Sequence, residues 1–415
     1  MTLVVQKFGG SSVATPEKIR HVATRISQAK QAGKQVVVVV SAMGDTTDDL
    51  LALKDQVTAF ASPRELDMLL ATGEQVSIAL VAMALQAMGV AAISVTGAQA
   101  GIRTEPVHTR ARIIDIHTDR LRQLLNDEYI PVVAGFQGVT HSGELCTLGR
   151  GGSDTTAVAL AAALRADECE IFTDVSGVYT TDPRVVNDAR LLPEISYDEM
   201  LELASLGAQV LHPRSVEYAK QHQLHLRVRS TFDQGEGTVV KGVETLENVT
   251  PVRGVAVDMN QAKVALLAVP DVPGTAARLF GALSDHGINV DMITQAVRAE
   301  NRNDIGFTVP KDDLARAVEV ATEVGQAIEA GDVVQSLDVA KVSIVGSGMV
   351  NHAGIAARMF QALADGNINI QMIATSEIKV SCVINREQAQ QAVRLVHNAF
   401  HLGGPVPQIS STGVA

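Results

Sequence analysis

Apolar and polar positions in the first 245 residues form blocks that predict strands and helices in turn. The continuous apolar run Val36–Val40 predicts a strand buried on both faces, and "LVVQKF" precedes the helical pattern "TPEKIRHVATRISQAKQAG". The stretches "YIPVVAGFQG" and "CEIFTDVSGVY" add further strands. Buried strands that alternate with helices are typical of an α/β fold in which a mainly parallel sheet is covered by helices on both faces.

One apolar stretch, residues 77–95, approaches the length of a membrane span. Gln86 and Gly89 interrupt this stretch, and its second half is rich in β-branched residues. The pattern therefore predicts a buried helix followed by a buried strand, and we expect no membrane partner.

Beyond residue 250 the sequence repeats itself. Residues 271–295 align without gaps on residues 351–375, with 12 of 25 positions identical. Each copy follows an apolar strand pattern ("AKVALLAV" and "AKVSIVGS"), and a second strand pattern ("DIGFTVP" and "KVSCVIN") comes after it. Two copies are too few for a solenoid, so the repeat predicts a pair of small α+β domains.

Composition narrows the class of protein. The chain has 415 residues, which predicts two or three domains, and its net charge is -12 with no Trp and four Tyr. An acidic chain with few aromatic residues lacks the basic surface and the stacking platforms of a nucleic-acid-binding protein. Its three cysteines are widely separated and the N-terminal residues carry no secretory pattern, so we expect a cytoplasmic protein.

A first glycine-rich loop, "KFGGSS" at residues 7–12, lies between a predicted strand and a predicted helix. Glycines in such a turn let backbone N–H groups approach a phosphate, and the helix dipole favours an anion there. Lys7 would add the positive charge that phosphoryl transfer needs. The alternative interpretation is that these residues form only a turn.

A second loop, "GRGGSD" at residues 149–154, precedes a helix of small apolar residues, and Ser153 to Thr156 are predicted to cap that helix. Two anion-binding loops in one α/β domain suggest two anionic ligands, or one ligand and the group transferred to it. In the structural alternative, Gly151 and Gly152 permit close packing and Asp154 is only a cap.

A third cluster, "TDVSGVYTTDPR" at residues 173–184, is rich in hydroxyl and carboxylate groups. Such a loop could hold the base and ribose of a nucleotide, or could form successive turns at Gly177 and Pro183.

Three further residues are notable on their own. Glu74 lies in a strongly apolar helix pattern, where it could meet a ligand's amino group or could be a helix-start residue stabilised by the dipole. His212 and Arg214 in "LHPRS" are interpreted as a structural turn. No metal-ligand spacing is visible, so no protein metal site is predicted and any metal is expected to arrive with a nucleotide.

Together and in this order, these motifs resemble those of the aspartate kinases of the amino acid kinase family. The resemblance is carried by "KFGGSS", "SAMGDTTD", "GE" at 73–74, "GFQG", "TLGRGGSDTTA", "TDVSGVYTTDPR", "LHPR" and the tandem repeat, which is similar to paired ACT domains. It implies transfer of the γ-phosphoryl group of ATP to the side-chain carboxylate of L-aspartate. The product would be 4-phospho-L-aspartate, the first intermediate toward lysine, threonine and methionine.

The resemblance also implies roles for individual residues. Lys7, Arg150 and Asp154 would be catalytic, with Arg150 binding the substrate's α-carboxylate and Glu74 its α-ammonium group. The other substrate-binding candidates are Ser41, Thr47, Gly151, Gly152 and Ser153. The candidates for ATP with Mg²⁺ are Lys7, Phe8, Gly9, Gly10, Ser11, Thr173, Asp174, Tyr179, Asp182 and Arg184.

By the same resemblance, a catalytic domain of residues 1–245 would precede two ferredoxin-like (βαββαβ) ACT domains, residues 250–330 and 331–415. The family inserts the first ACT unit within the second, so residues 250–258 are a candidate strand of the second unit. Lysine, threonine or both would bind between ACT domains of neighbouring subunits in a homo-oligomer, with or without a separate short regulatory subunit. The effector candidates are Asp271, Gly274, Asn289, Val290, Asp291, Gln295, Asn369, Ile370 and Ser376.

Two alternatives stay open at this point. A related kinase could act on glutamate or a similar carboxylate, and a non-catalytic amino-acid sensor could retain the kinase-like domain only to bind ligand. The two ACT copies also differ at Asp271, Pro273 and Asp291, which correspond to Asn351, Ala353 and Gln371. Either both copies bind an effector, or one of them serves only dimer packing.

Overall fold

The chain divides into two units in the structure, a computed structural model that describes residues 2–207, 210–242, 250–298 and 301–404. The domain boundary expected between residues 245 and 250 and the expected end of the second ACT domain, residues 405–415, lie outside the described residues. The first unit comprises Met1–Val178, Leu191–Ser205 and Gln209–Glu247, and the second comprises Tyr179–Arg190, Leu206–Ala208 and Asn248–Ala415.

The first unit contains a large sheet, a small sheet and the helices that cover them. Its strands are β1 Leu3–Phe8, β2 Gln35–Val40, β3 Ala92–Val95, β4 Ile102–Thr104, β5 Ile113–Ile116, β6 Ile130–Ala134, β7 Gln137–Val139, β8 Leu145–Thr147, β9 Glu168–Thr173, β10 Glu194–Ser196, β11 Leu226–Ser230 and β12 Thr238–Lys241. Its helices are α1 Pro16–Gln31, α2 Thr46–Val57, α3 Pro63–Ala87, α4 Asp119–Asn126, α5 Gly152–Leu164, α6 Tyr197–Ser205 and α7 Pro213–Gln221.

The large sheet has the strand order β10-β12-β11-β9-β1-β2-β6-β3, and only the β11–β12 pair is antiparallel. Val36, Val38 and Val40 pack in the core formed with α1 and α3, so by the alternation of a strand Val37 and Val39 face the opposite side, where α5 packs. The expectation of a parallel sheet covered on both faces is confirmed. Such a sheet places its ligand-binding loops at the carboxyl ends of the strands.

The apolar stretch at residues 77–95 forms the second half of α3 and then β3, as predicted. Among the described helices, α3 alone is long and apolar enough to cross a membrane, but half of its most apolar window is buried within the protein. Its pattern is therefore explained by packing in the core of the first unit.

The second unit contains two four-stranded antiparallel sheets. Its strands are β13 Gly254–Asp258, β14 Gln261–Pro270, β15 Ile293–Arg298, β16 Arg302–Pro310, β17 Val333–Ser336, β18 Val339–Val345, β19 Met372–Thr375 and β20 Lys379–Asn385. Its helices are α8 Thr275–Asp285, α9 Leu314–Ala327, α10 Ile355–Asp365 and α11 Ala389–Ala399.

The two sheets of this unit have related strand orders, β15-β16-β14-β17 and β13-β18-β20-β19. The first is a complete βαββαβ arrangement with its own apolar core under α8 and α9. The second takes its outer strand from residues before the first, since β13 pairs with β18. The first α+β copy is thus inserted between β13 and the rest of the second copy.

Candidate functional site

The first glycine-rich loop leaves β1 at its carboxyl end and forms a 3₁₀ turn, Gly10–Ser12, before α1 begins at Pro16. A Cβ atom added at Gly10 would lie 2.9 Å from the backbone oxygen of Ala42 and 3.1 Å from that of Gly44. Glycine is therefore required at position 10, because the loop that follows β2 lies too close for a larger residue. The N–H of Gly44 donates to the Gly10 carbonyl at 3.0 Å, which ties the two loops together.

The second glycine-rich loop turns directly into α5. Gly151 caps the helix with φ of 72°, in the left-handed region, and an added Cβ atom there would lie 2.1 Å from the His212 ring. The helix begins at Gly152, so the prediction that Ser153 to Thr156 cap it is wrong: these residues lie in its first turn. Because glycine caps the helix, Asp154 is available for another partner.

That partner is Lys7. The Lys7 Nζ lies 2.6 Å from the Asp154 Oδ1, and the two side chains are 11% and 13% exposed. The pair joins the ends of β1 and the start of α5, and thus the two glycine-rich loops. A mostly buried ammonium group beside a glycine-rich loop is suited to a phosphoryl group.

The two loops enclose a cavity of about 280 Å³ in the first unit. Ten of the predicted catalytic, substrate-binding and ATP-binding residues line it: Lys7, Gly10, Ser41, Thr47, Glu74, Arg150, Gly151, Gly152, Ser153 and Asp154. The other lining residues are Ala42, Gly44, Phe136 and Gly149, none of which is among the predicted site residues. They belong to the motifs "SAMGDTTD", "GFQG" and "TLGRGG". These residues could therefore be assigned to the site from the motifs that contain them, but not from the chemistry of their own side chains.

Glu74 lies in the middle of α3 and is 3% exposed, which rules out the alternative of a helix-start residue. Its Oε1 accepts the N–H of Ala42 at 3.1 Å, whereas its Oε2 is buried with no hydrogen-bond partner among the residues that the structure describes. Burial raises the pKa of Glu74 to about 7. A buried carboxylate oxygen that lines a cavity without a partner is suited to a cationic ligand group.

Three residues of the first glycine-rich loop that are predicted to hold ATP, Phe8, Gly9 and Ser11, lie outside the cavity lining. The Phe8 ring is fully buried and stacks on Phe172 with ring centroids 4.7 Å apart, so its side chain belongs to the core. Ser11 is exposed in the 3₁₀ turn, and its carbonyl accepts Lys18 Nζ at 2.9 Å. Gly9 lies between them and donates its N–H to the Phe172 carbonyl at 3.2 Å.

The third loop is divided between the two units. Thr173 ends β9 in the first unit and Asp174 follows it, and the Thr173 hydroxyl donates to the Asp174 carboxylate at 3.1 Å. Tyr179, Asp182 and Arg184 belong to the second unit. Asp182 accepts both the backbone N–H and the guanidinium of Arg184, which lowers the pKa of Asp182.

The "LHPRS" turn is structural, as its interpretation predicted. His212 caps α7 by accepting the Arg214 N–H. The Arg214 guanidinium donates to the carbonyls of Leu148 at 2.6 Å and Ala111 at 3.1 Å, so the turn supports the segment from which Arg150 projects.

The effector candidates lie at the surface of the second unit. Val290 and Ile370 are half-buried and the other seven are exposed: Asp271, Gly274, Asn289, Asp291, Gln295, Asn369 and Ser376. Asp291 forms an ion pair with the buried Lys341 of β18, which also lies 3.9 Å from Asp258. In the second copy, Gln371 instead accepts Lys263 Nζ at 2.6 Å. The two copies therefore differ at this position in structure as well as in sequence.

Comparison with known proteins gives consistent matches. The amino acid kinase family matches residues 2–230, and the ACT domain matches residues 267–324 and 342–400. The aspartokinase of Geobacillus stearothermophilus is 51% identical, covering 99% of this chain and 100% of the relative, and that of Pseudomonas aeruginosa is 50% identical, covering 98% and 100%. Aspartokinase 2 of Bacillus subtilis is 52% identical, with coverage of 97% and 98%.

Solved structures match over the same length. E. coli aspartokinase III in complex with aspartate and ADP (R-state) has a TM-score of 0.81 at 27% identity, covering 96% of this chain and 99% of that one. The same enzyme in complex with lysine and aspartate (T-state) has a TM-score of 0.72 with equal identity and coverage. The predicted fold class, a kinase domain with a mainly parallel sheet followed by ACT domains, is confirmed.

Proposed function

Since the chain belongs to the amino acid kinase family and, within it, to the aspartokinases, we propose that it phosphorylates the side-chain carboxylate of L-aspartate with ATP. The product is 4-phospho-L-aspartate, and the enzyme is an ATP-dependent phosphotransferase with a carboxyl group as acceptor. The expected pathway is the synthesis of lysine, threonine and methionine.

One observation of this structure supports the proposal above all others. A single cavity is lined by Glu74, whose buried Oε2 has no hydrogen-bond partner in the described part of the chain, by Arg150 and by the Lys7–Asp154 pair. The first two groups complement the ammonium and carboxylate groups of an α-amino acid. The third provides a positive charge for the phosphoryl group that reaches the amino acid's side chain.

The substrate would be bound by its backbone groups. Arg150 would bind the α-carboxylate through two parallel hydrogen bonds, and Glu74 would accept the α-ammonium group, with Ser41 and Thr47 beside it. Gly151, Gly152 and Ser153 line the same wall. The side-chain carboxylate of aspartate is already ionised at neutral pH, so it attacks the γ-phosphorus without a general base. Catalysis then depends on orientation and charge stabilisation.

The phosphoryl group would be stabilised by Lys7 and by the N–H groups of the first glycine-rich loop. Asp154 holds the Lys7 ammonium in place, because the ion pair is short and mostly buried. Gly9, Gly10, Ser11 and the backbone of Phe8 would follow the phosphates, and the remaining nucleotide contacts would come from Thr173, Asp174, Tyr179, Asp182 and Arg184. The Asp154 carboxylate beside Lys7 is already paired with it, so we assign Mg²⁺ to the phosphates of ATP, where it would neutralise charge.

The ACT domains would provide feedback regulation. We assign lysine, threonine or both as effectors, bound by Asp271, Gly274, Asn289, Val290, Asp291, Gln295, Asn369, Ile370 and Ser376. The lysine complex of E. coli aspartokinase III supports this assignment, as does the exposure of most of these residues. We further propose that ACT domains of neighbouring copies assemble a homo-oligomer, with or without a short regulatory subunit, in the cytoplasm.

The acceptor is tested by measuring ADP release with Mg²⁺-ATP and L-aspartate, L-glutamate or N-acetyl-L-glutamate in parallel. The proposal predicts turnover with aspartate at least roughly tenfold above that with either longer acid, since one extra methylene displaces the nucleophile from the phosphorus. A preference for a glutamate compound would assign the chain to another kinase of the family. Binding of aspartate without ADP release would support the amino-acid sensor instead.

A further inference from the structure

A buried carboxylate of the first unit, Asp67, lies outside the cavity lining and has no part in the function proposed so far. Asp67, in the second turn of α3, has a side chain with no solvent exposure. Its Oδ1 accepts the Thr147 hydroxyl at 2.5 Å and the Thr109 N–H at 3.0 Å, and its Oδ2 accepts His108 Nδ1 at 2.7 Å. A buried ionisable group is costly unless it is fully hydrogen-bonded, and Asp67 is well satisfied.

These partners come from two segments that lie far apart in sequence. His108 and Thr109 belong to the loop between β4 and β5, whereas Thr147 ends β8. Ala111 of the first segment donates its N–H to the Thr147 carbonyl at 2.9 Å. Asp67 thus forms hydrogen bonds to both segments and ties them to α3. We call this set of contacts the junction.

The junction directly supports the loop that carries Arg150. Gly149 follows Thr147 by two residues, and a Cβ atom added at Gly149 would lie 3.0 Å from the Thr109 carbonyl oxygen. The Gly149 backbone therefore rests on the segment that Asp67 holds, and Arg150 is the next residue. A shift of Thr109 or Thr147 would move the start of this loop.

The same helix also carries Glu74. Asp67 and Glu74 are seven residues apart, which is nearly two helical turns and places them on one side of α3, roughly 10 Å apart along its axis. The helix therefore fixes Glu74 directly and the Arg150 loop through Asp67. These are the two groups assigned to the ammonium and the α-carboxylate of the substrate.

We propose that Asp67 is a positioning residue for amino-acid binding, which sets the Arg150 guanidinium at the right distance from Glu74. The inference rests on the proposed function for the identity of the ligand, L-aspartate. His108, Asp67 and Cys146 offer ligand atoms within 4.8 Å of one another. Because both oxygens of Asp67 are already acceptors in hydrogen bonds, the cluster acts as a hydrogen-bonded junction.

The test is Asp67→Asn, which removes the carboxylate charge and replaces one acceptor oxygen with an NH₂ donor next to the Thr109 N–H and the His108 ring. We expect the KM and the Kd for L-aspartate to rise roughly tenfold, while the KM for ATP and the kcat at saturating aspartate stay within about twofold. Glu199→Gln is the matched control, because Glu199 is also fully buried in the first unit and accepts the backbone N–H and the hydroxyl of Ser196. It should lower Tm without changing the KM for aspartate.

A double-mutant cycle separates positioning from general destabilisation. In the Arg150→Ala background, Asp67→Asn should change the KM for aspartate by less than about twofold, because the guanidinium that it positions is gone. Additive effects in that background, or equal increases in the KM for both substrates, would overturn the inference. Should Asp67→Asn fail to fold, Thr147→Val removes a single donor to Asp67 and should raise the KM for aspartate a few-fold.

Calorimetric titration of the wild-type chain and of Asp67→Asn with L-aspartate tests the proposed function separately from the positioning role of Asp67. If the wild type does not bind aspartate, the proposed function is wrong, and the inference about its substrate fails with it. If the wild type binds aspartate and Asp67→Asn binds it equally well, only the positioning role is overturned.

Discussion

Glu74 is buried, its Oε2 has no hydrogen-bond partner among the residues described, and its pKa is raised to about 7, mainly by loss of hydration. In the ligand-free protein it is therefore partly protonated near neutral pH. An ammonium group in the cavity favours the charged carboxylate, so substrate binding should expel a proton. Glu74 thus makes substrate affinity depend on pH over a range in which the substrate's own groups do not titrate.

The affinity for L-aspartate should therefore rise with pH up to about 7 and level off above it. One unit below that pKa, binding should be roughly tenfold weaker, because most Glu74 side chains must first lose a proton. Calorimetry at pH 6.5 in buffers with different ionisation enthalpies should show net proton release. Glu74→Gln should bind weakly and without this pH dependence, and a pH-dependence that persists in that variant would assign it to another group.

The same raised pKa predicts a stability change in the ligand-free protein. Its folded-state value of about 7 lies above the ordinary 4.5, so the native state binds the extra proton between these values. The free energy of unfolding should consequently fall as pH rises through this window, by up to about 3 kcal/mol. Urea unfolding at several pH values should show this decline in the wild type and a smaller one in Glu74→Gln. A wild-type stability that increases over that range, with no such difference, would argue against a neutral buried Glu74.

Arg150 offers a second test at the residue scale. Arg150→Ala should raise the KM for aspartate roughly 10- to 150-fold, which corresponds to about 1.5–3 kcal/mol for hydrogen bonds to a charged group. The KM for ATP should stay nearly unchanged. Arg120→Ala, at an exposed position of α4, is the control. Equal loss of affinity for both substrates would indicate collapse of the loop instead of loss of a carboxylate contact.

Residues of the site differ in how far sequence could identify them. Lys7, Arg150 and Asp154 lie within short glycine-rich motifs, so local pattern was enough to select them. Asp67 was not singled out, because its partners lie 41 to 80 residues further along the chain and only the fold brings them together. Sequence also assigned Phe8 to ATP, because it could not show that the Phe8 ring stacks on Phe172 in the core.

At the scale of elements, the site depends on where helices start. Gly151 allows α5 to begin immediately after a sharp turn against His212, which leaves Asp154 free to bind Lys7. Sequence predicted the helix and its position but assigned the cap to polar residues, since these are the usual caps. A left-handed glycine cap depends on backbone geometry that residue preferences alone do not reveal.

Gly151→Ala should therefore impair both folding and catalysis. An added methyl group would meet the His212 ring and would occupy a strained φ, so we expect a loss of stability of about 1–3 kcal/mol and a kcat reduced at least roughly tenfold. Gly281→Ala adds the same methyl group within α8, where no atom lies within 4 Å, and should be neutral or stabilising. Thermal unfolding and steady-state kinetics check both variants. A Gly151→Ala enzyme with wild-type kcat would show that the close turn is dispensable.

At the scale of the whole molecule, sequence predicted two kinds of domain because the hydrophobic pattern changes beyond residue 250 and a repeat begins. Sequence could not assign Tyr179–Arg190 to the second unit, since this segment lies within the chain of the first. There, Thr180 accepts the N–H of Val255 at 2.7 Å and Arg190 donates its N–H to the Thr180 hydroxyl at 3.0 Å. A segment proposed to hold ATP is thus built into the unit proposed to bind effectors.

Feedback inhibition is expected of the molecule as a whole, since the proposed effector and substrate sites belong to different domains. Millimolar lysine, threonine or both together should reduce turnover, with a coupling of roughly 5- to 150-fold in affinity. Asp271→Ala should weaken inhibition at least threefold, whereas Asp285→Ala, at another exposed aspartate of the same copy, should not. Steady-state rates that none of the additions changes would remove the regulatory assignment and leave the kinase intact.

The most direct test of the central claim is to trap the product of the wild-type enzyme. Incubation with Mg²⁺-ATP, L-aspartate and hydroxylamine should yield one aspartyl hydroxamate for each ADP released, since the acyl phosphate reacts with hydroxylamine and the free carboxylates of aspartate do not. Lys7→Ala should lower both products together by roughly 10²–10³-fold. ADP release without hydroxamate, or no ADP release with aspartate, would contradict the assignment of this cavity to phosphorylation of the aspartate side chain.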